Sequence, residues 1–289
     1  MRAFVEGISQ YGESLHPGFL VVPQNGQELL TENGEPDGPV DTDYRNAIDG
    51  QGREDVFYGY NADNEATPPT ERDYLIAYLD KARQNGVTIL STDYCSTQGK
   101  IADSYAQNAA KGYVSFAADH RELDNIPTFP NSIAGENASD VDQLLEAKNF
   151  LYFINPSNFS KSQFIEMVRA TNYDVLITDL FVNGVAFTAD EVDSLKQKQN
   201  GGTRLVICYM SIGEAEDYRY YWQSAWKKGS PSWLREVNPD WAGNFKVHYW
   251  EKAWQDIIFG NEQSYTYKIV AAHFDGVYLD IIDGFEYFE

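Results

Sequence analysis

The sequence predicts an α/β chain closed into a (β/α)8 TIM barrel, and three observations carry that reading. Eight apolar runs of strand length alternate with stretches of helical periodicity, which implies right-handed crossovers and a parallel sheet. At 289 residues the chain suits one barrel of about 250 residues better than an open doubly wound sheet. No Gly-x-Gly-x-x-Gly follows any of the runs and no P-loop is present, so nothing favours a nucleotide fold. A single domain over 1–289 is expected, with 119–149 as a linker segment joining its halves.

Taken in order, Phe4, Val5, Ile8 and Tyr11 have helical spacing, and His16-Pro-Gly18 breaks the pattern before a strand at Phe19–Val22. The polar stretch to Gly52 reads as a surface loop with a short helix near Tyr44–Ala47. A second strand is expected at Val56–Tyr58, followed by a helix opening at Thr70 with Asp73 as capping partner. Strands at Val87–Leu90 and Tyr113–Phe116 flank a helix at Ile101–Lys111. After the turn-rich segment with Pro127, Pro130 and Gly135 the alternation resumes: strand Leu151–Ile154, helix Lys161–Ala170, strand Asp174–Ile177, and a helix opened by a Thr188/Glu191 capping box. The strand Arg204–Met210 then leads into a Trp-rich region with a short extended piece at Lys246–Tyr249. Helix returns through Ile257, Ile258 and Ile269 before a last strand, Gly276–Asp280.

Composition sets limits on function. The chain is 43% hydrophobic and 23% charged, as soluble globular proteins are, and has no apolar run near the roughly 20 residues that span a bilayer. No signal peptide is visible at Met1–Ser9. Cys95 and Cys208 lie in or after apolar strands and read as buried free thiols. A formal charge of -22 argues against nucleic acid, whose binding depends on phosphate neutralisation. The acidity is read first as serving solubility or a salty habitat, with attraction of a cationic substrate as the alternative. A monomer without membrane contact is expected.

The chemistry is expected at the carboxyl ends of the strands. The final strand stops at Asp280, with Asp283 beyond it, and Glu54, Asp93, Asp179 and Glu214 follow or flank other strands. A barrel brings such ends to one face, so acids far apart in sequence surround one pocket. Two acids of unlike pKa suffice for glycoside hydrolysis: one keeps a proton for the leaving group, the other is ionised as nucleophile or base. His16, His120, His248 and His273 show no zinc spacing, and no Gly-x-Ser-x-Gly is present. Carboxylates alone can hold Mg or Ca, but no metal and no cofactor is expected. Tyr58, Tyr94, Tyr209 and Tyr278, with the tryptophans, offer flat faces for sugar rings.

The blocks Cys208-Tyr-Met-Ser-Ile-Gly-Glu-Ala-Glu-Asp-Tyr-Arg219, Asn238-Pro-Asp-Trp241 and Asp275-Gly-Val-Tyr-Leu-Asp-Ile-Ile-Asp283 resemble signatures of the endo-alpha-1,4-polygalactosaminidase-like glycoside hydrolases. Pro23–Leu30 and Gly52–Tyr58 are similar to two more. One branch of that family was once described as cysteinyl-tRNA synthetase-related, yet no synthetase ATP motif such as His-Ile-Gly-His is present here. The resemblance implies a barrel and a glycosidase acting on alpha-1,4-linked galactosamine or N-acetylgalactosamine polysaccharide, in the extracellular or periplasmic space. It makes Asp280 and Glu54 the catalytic pair. Substrate would be bound by Asp179, Tyr209, Glu214, Asp283, Gln24, Asn25, Asp93, Tyr94, Tyr278 and Trp250. The block at 151–289 comes first in the family's usual order, so the chain resembles a circularly permuted barrel. Its last strand should then pair in parallel with the strand at 19–22, and Met1 and Glu289 should share a rim with Asp280. The alternative to an enzyme is a non-catalytic carbohydrate-binding barrel.

Overall fold

A computed structural model describes residues 1–288. The chain is a mixed α/β structure with a parallel central sheet. Its first part runs α1 (Arg2–Leu15), β1 (Leu20–Pro23), α2 (Thr42–Asn46), β2 (Gly50–Glu54), α3 (Pro69–Gln84), β3 (Thr88–Tyr94), α4 (Gln98–Lys111) and β4 (Val114–Ala118). The second part continues through β5 (Phe150–Tyr152), α5 (Lys161–Arg169), β6 (Val175–Thr178), the hairpin β7 (Phe181–Val182) and β8 (Val185–Ala186), α6 (Ala189–Leu195) and β9 (Leu205–Ser211). A small antiparallel sheet of β10 (Glu214–Glu216), β11 (Leu234–Val237) and β12 (Asn244–Val247) is then inserted before α7 (Lys252–Ile258), α8 (Tyr265–Ala271) and β13 (Gly276–Asp280).

Helix α1 forms because Phe4, Val5, Ile8 and Gly12 recur at helical spacing and are all buried. Helix α6 opens on the Thr188/Glu191 capping box read from the sequence. Helix α3 departs from expectation: Pro68 is its N-cap and Pro69 its first residue, with no side-chain cap. A proline there gives up an amide that the first turn leaves unpaired anyway.

Five parallel strands lie in the order β1-β13-β9-β6-β5 and three in the order β2-β3-β4. The pairing of β13 with β1 is parallel, with Leu20 opposite Gly276 and Pro23 opposite Leu279, as the sequence led us to expect. At one join a parallel bridge links Gln24 to Gly52, while Asp49 exchanges hydrogen bonds with Val21. At the other join the Phe116 and Phe150 rings meet at 5.7 Å. Val21, Leu176, Ile207 and Leu279 are fully buried where these strands pack.

The strand expected at Val56–Tyr58 is instead β2, at Gly50–Glu54. Its glycines hide it from any apolar pattern, and at Gly52 there is a steric reason: a Cβ would stand 2.1 Å from Tyr278 Oη. Glu54 thereby becomes the last residue of a strand. The segment 119–149 contains only one short 3-10 turn, Leu144–Glu146, but it is tied down. Leu123, Val141, Leu144 and Ala147 are buried, and Asn137 reaches the buried Asp174–Lys198 ion pair. Arg2, at the start of α1, donates to the carbonyls of Leu29 and Thr31, beyond the end of β1, so the Met1 end of α1 shares the rim with Asp280. Glu289 lies outside the described residues.

Candidate functional site

The carboxyl ends of the parallel strands surround a cavity of about 430 Å³ lined by Gln24, Asn25, Glu54, Tyr94, Asp179, Tyr209, Asp280 and Asp283. Each reaches it for a local reason. Gln24 and Asn25 follow β1, Glu54 ends β2, Tyr94 ends β3, Asp179 follows β6, and Asp280 ends β13. The floor is aromatic: Tyr152 and Tyr278 meet edge to face at 5.2 Å, and Tyr152 donates to Gln24 Oε1 at 2.8 Å. Of the two rings only Tyr152 lines the cavity; Tyr278, expected to touch substrate, is wholly buried against Gly52 and supports the cavity from behind.

Asp280 accepts from Tyr209 Oη at 2.5 Å and from the Ile281 amide at 2.8 Å. Ile281 itself takes φ 56°, a left-handed conformation that is strained for a β-branched residue by about 1–3 kcal/mol. The Ile281 carbonyl presses on Gly213, where a Cβ would meet it at 2.2 Å. Only glycine fits there. Burial and the charge of Glu54, with Asp283 adding to them, push Asp280 up to about 7, while its two donors pull the other way. Glu54 accepts from Tyr94 Oη at one oxygen and from Asn25 Nδ2 at the other, 3.4 Å away.

The remaining charges are arranged in pairs. Arg219 bonds Asp179 at 2.6 Å and Glu216 at 2.5 Å, and Tyr218 donates to Glu216. Burial pushes Asp179 up and Arg219, its ion-pair partner, opposes it. Arg121 lies over the Tyr94 ring at 4.2 Å and bonds Asp55 at 2.9 Å. Asp55 is pushed up to about 6 by burial and by neighbouring Glu54, against Arg121. Asp283 is also raised, chiefly by burial, with Arg53 drawing it back. Among the described residues, no group of His, Cys, Asp and Glu is arranged to hold a metal ion, and no helix is long and apolar enough to cross a membrane.

Besides Tyr278, three of the residues expected to touch substrate lie outside this cavity. Asp93 is completely buried behind β3, accepting from the Phe57 and Tyr58 amides, Ser104 and Asn108. Neighbours on a strand face opposite sides, so with Tyr94 in the cavity Asp93 must point towards α4. Glu214 is buried against Asn238 and Asn244. Trp250 stacks on His248 at 4.6 Å, away from the cavity, whose wall is supplied instead by the exposed Trp241. Sequence reading passed over Tyr152, Arg121, Glu216, Tyr218 and Arg219 as site residues, all of which line the cavity. Glu216, Tyr218 and Arg219 stand in the Cys208–Arg219 block, which was the available signal for them. Arg121 had none, since it sits in a segment without regular structure.

Two further pockets adjoin the cavity. It shares Ile154, Asn155, Asp179, Tyr218 and Arg219 with a pocket of about 350 Å³, and Ile281 and Asp283 with one of about 400 Å³ that also holds Glu214, Asp240 and Lys246.

Against known proteins, the chain is 35% identical over 179 residues to an uncharacterized protein of Methanocaldococcus jannaschii, covering 61% of this chain and 49% of that one. It is 39% identical over 123 residues to an uncharacterized protein of Deinococcus radiodurans, with 42% and 37% covered. The corresponding figures for one of Thermotoga maritima are 34% over 120 residues, with 42% and 36% covered. The chain thus spans about half or less of the length of these relatives. Residues 147–289, which carry Asp179, Tyr209, Asp280 and Asp283 but not Glu54, match the model of glycoside-hydrolase family GH114, and that match supports a glycoside hydrolase.

Proposed function

We propose that this protein hydrolyses alpha-1,4-linked galactosamine or N-acetylgalactosamine polysaccharide outside the cell, with Asp280 as proton donor and Glu54 as the second carboxylate. One observation carries the reading: two carboxyl groups on different strands face one cavity, and the one ending β13 is held up to about 7 by burial and by the other's charge. A carboxyl that keeps its proton near pH 6 can give it to a departing glycosidic oxygen. Glu54, fixed by Tyr94 and Asn25, is the nucleophile or base. Trp241 and Tyr218 offer ring faces to the sugar. The two adjoining pockets leave room for a chain cut internally.

The fold reading behind this is a single barrel domain, its two parallel sheets closing through the Gln24–Gly52 bridge and the Phe116–Phe150 contact. In it 119–149 joins two halves in circularly permuted order, a reading supported by the parallel pairing of β13 with β1. The test pairs binding with cleavage. Galactosamine oligomers titrated calorimetrically against wild type and Asp280→Asn should bind both, while new reducing ends appear only with wild type. Binding by wild type without any cleavage would leave a carbohydrate-binding protein and reject the enzyme.

A further inference from the structure

We propose that Arg53 is a positioning residue for the Glu54 carboxylate, acting through the side-chain amide of Asn25. The proposal rests on the glycosidase reading for its kinetic test alone. Arg53 and Glu54 are neighbours on β2 and leave it on opposite faces, and Arg53 is not among the residues lining the cavity. It reaches the site indirectly: its Nη1 donates to Asn25 Oδ1 at 2.8 Å, and Asn25 Nδ2 donates onward to Glu54 Oε2 at 3.4 Å.

A guanidinium can only donate and an ionised carboxylate can only accept, so the amide between them has a single orientation. The backbone of Asn25 is equally fixed. Its N–H donates to Gly52 O at 2.9 Å, its carbonyl accepts from Gln51 Nε2 at 2.9 Å, and its φ is 62°, a left-handed conformation that asparagine tolerates. The only freedom left to Asn25 is rotation of its side chain. Arg53 removes it, and as a charged donor it polarises the amide towards Glu54. Because the opposite oxygen of Glu54 is held by Tyr94, the long Asn25 contact is the weaker of the two holds and the one that depends on support.

The test is a double-mutant cycle of Arg53→Ala and Asn25→Ala, read in two ways. With galactosamine oligomers as substrate, Arg53→Ala should lower kcat about 10- to 100-fold with KM within about threefold, as loss of alignment does. Arg53→Lys, which keeps a charged donor, should recover most of that loss. In the Asn25→Ala background the removal of Arg53 should change nothing further. The side-chain amide resonances of Asn25, identified by their disappearance in Asn25→Ala, should shift in Arg53→Ala. Should that variant not fold, Arg53→Gln, too short to reach, takes its place in the cycle. Additive losses would overturn the proposal, because Arg53 would then act by its charge on Asp283 rather than through Asn25. Failure of Arg53→Lys to recover activity would also count against it. If wild type cuts no oligomer, the amide resonances still decide: a shift supports the relay and unchanged resonances reject it.

Discussion

Replacing Asp280 by Asn should abolish hydrolysis and, at alkaline pH, make the protein more stable. In the folded chain Asp280 titrates at about 7, against about 3.9 for an unperturbed aspartate. The gap of about 3 units corresponds to about 4 kcal/mol at 1.36 kcal/mol per unit. Asp280 is partly exposed to the cavity, and screening there leaves about 2 kcal/mol. The folded value is the higher one, so the folded state holds a proton that the unfolded chain releases. The stability this contributes is full below pH about 4 and is lost as pH rises through about 7. An amide imitates the protonated carboxyl at every pH and is free of that loss. Asp55, Asp93, Asp179, Asp283 and Glu214 are raised as well, so only the difference between variant and wild type isolates Asp280. Urea unfolding of both at pH 4 and pH 8.5 should show that difference moving by about 2 kcal/mol in the variant's favour. A difference that stays flat would refute the elevated titration of Asp280, and with it the reason for making Asp280 the acid.

Tyr209→Phe removes a donor that favours ionised Asp280, so the alkaline limb of the pH–rate profile should move to higher pH; a limb that stays or falls contradicts the assignment. Asp93→Ala strands four donors in a buried site, and the loss, read from chemical unfolding, should be about 3–5 kcal/mol. Trp241→Ala should raise KM about tenfold through lost stacking while the unfolding midpoint barely changes, since the ring is 58% exposed.

Much of the fold could be read from the chain because its signals are local. The capping box at Thr188, the apolar run ending at Asp280 and the spacing of Phe4, Val5 and Ile8 each act within a few residues. β2 could not be found that way: Gly50 and Gly52 have no side chains to form a pattern, and position 52 is glycine because Tyr278 fills the space a side chain would need. Asp93 and Tyr94 show a different limit. Both end an apolar run, but alternation allows only one of them into the cavity, and which one follows from how β3 pairs with β2 and β4. Arg121 and Trp241 come from irregular segments placed by packing, so no periodicity marks them. The site's charges were countable in the sequence, whereas their pairing through Arg219 and Arg121 is a property of three-dimensional contact.

The most direct test of the central claim is the pH dependence of kcat for release of reducing ends from an alpha-1,4-linked galactosamine oligomer. We predict activity that falls tenfold per pH unit above about 7, as Asp280 gives up its proton, and no activity at any pH in Asp280→Asn. Hydrolysis that continues undiminished from pH 6 to pH 9, or that survives Asp280→Asn, would contradict the account.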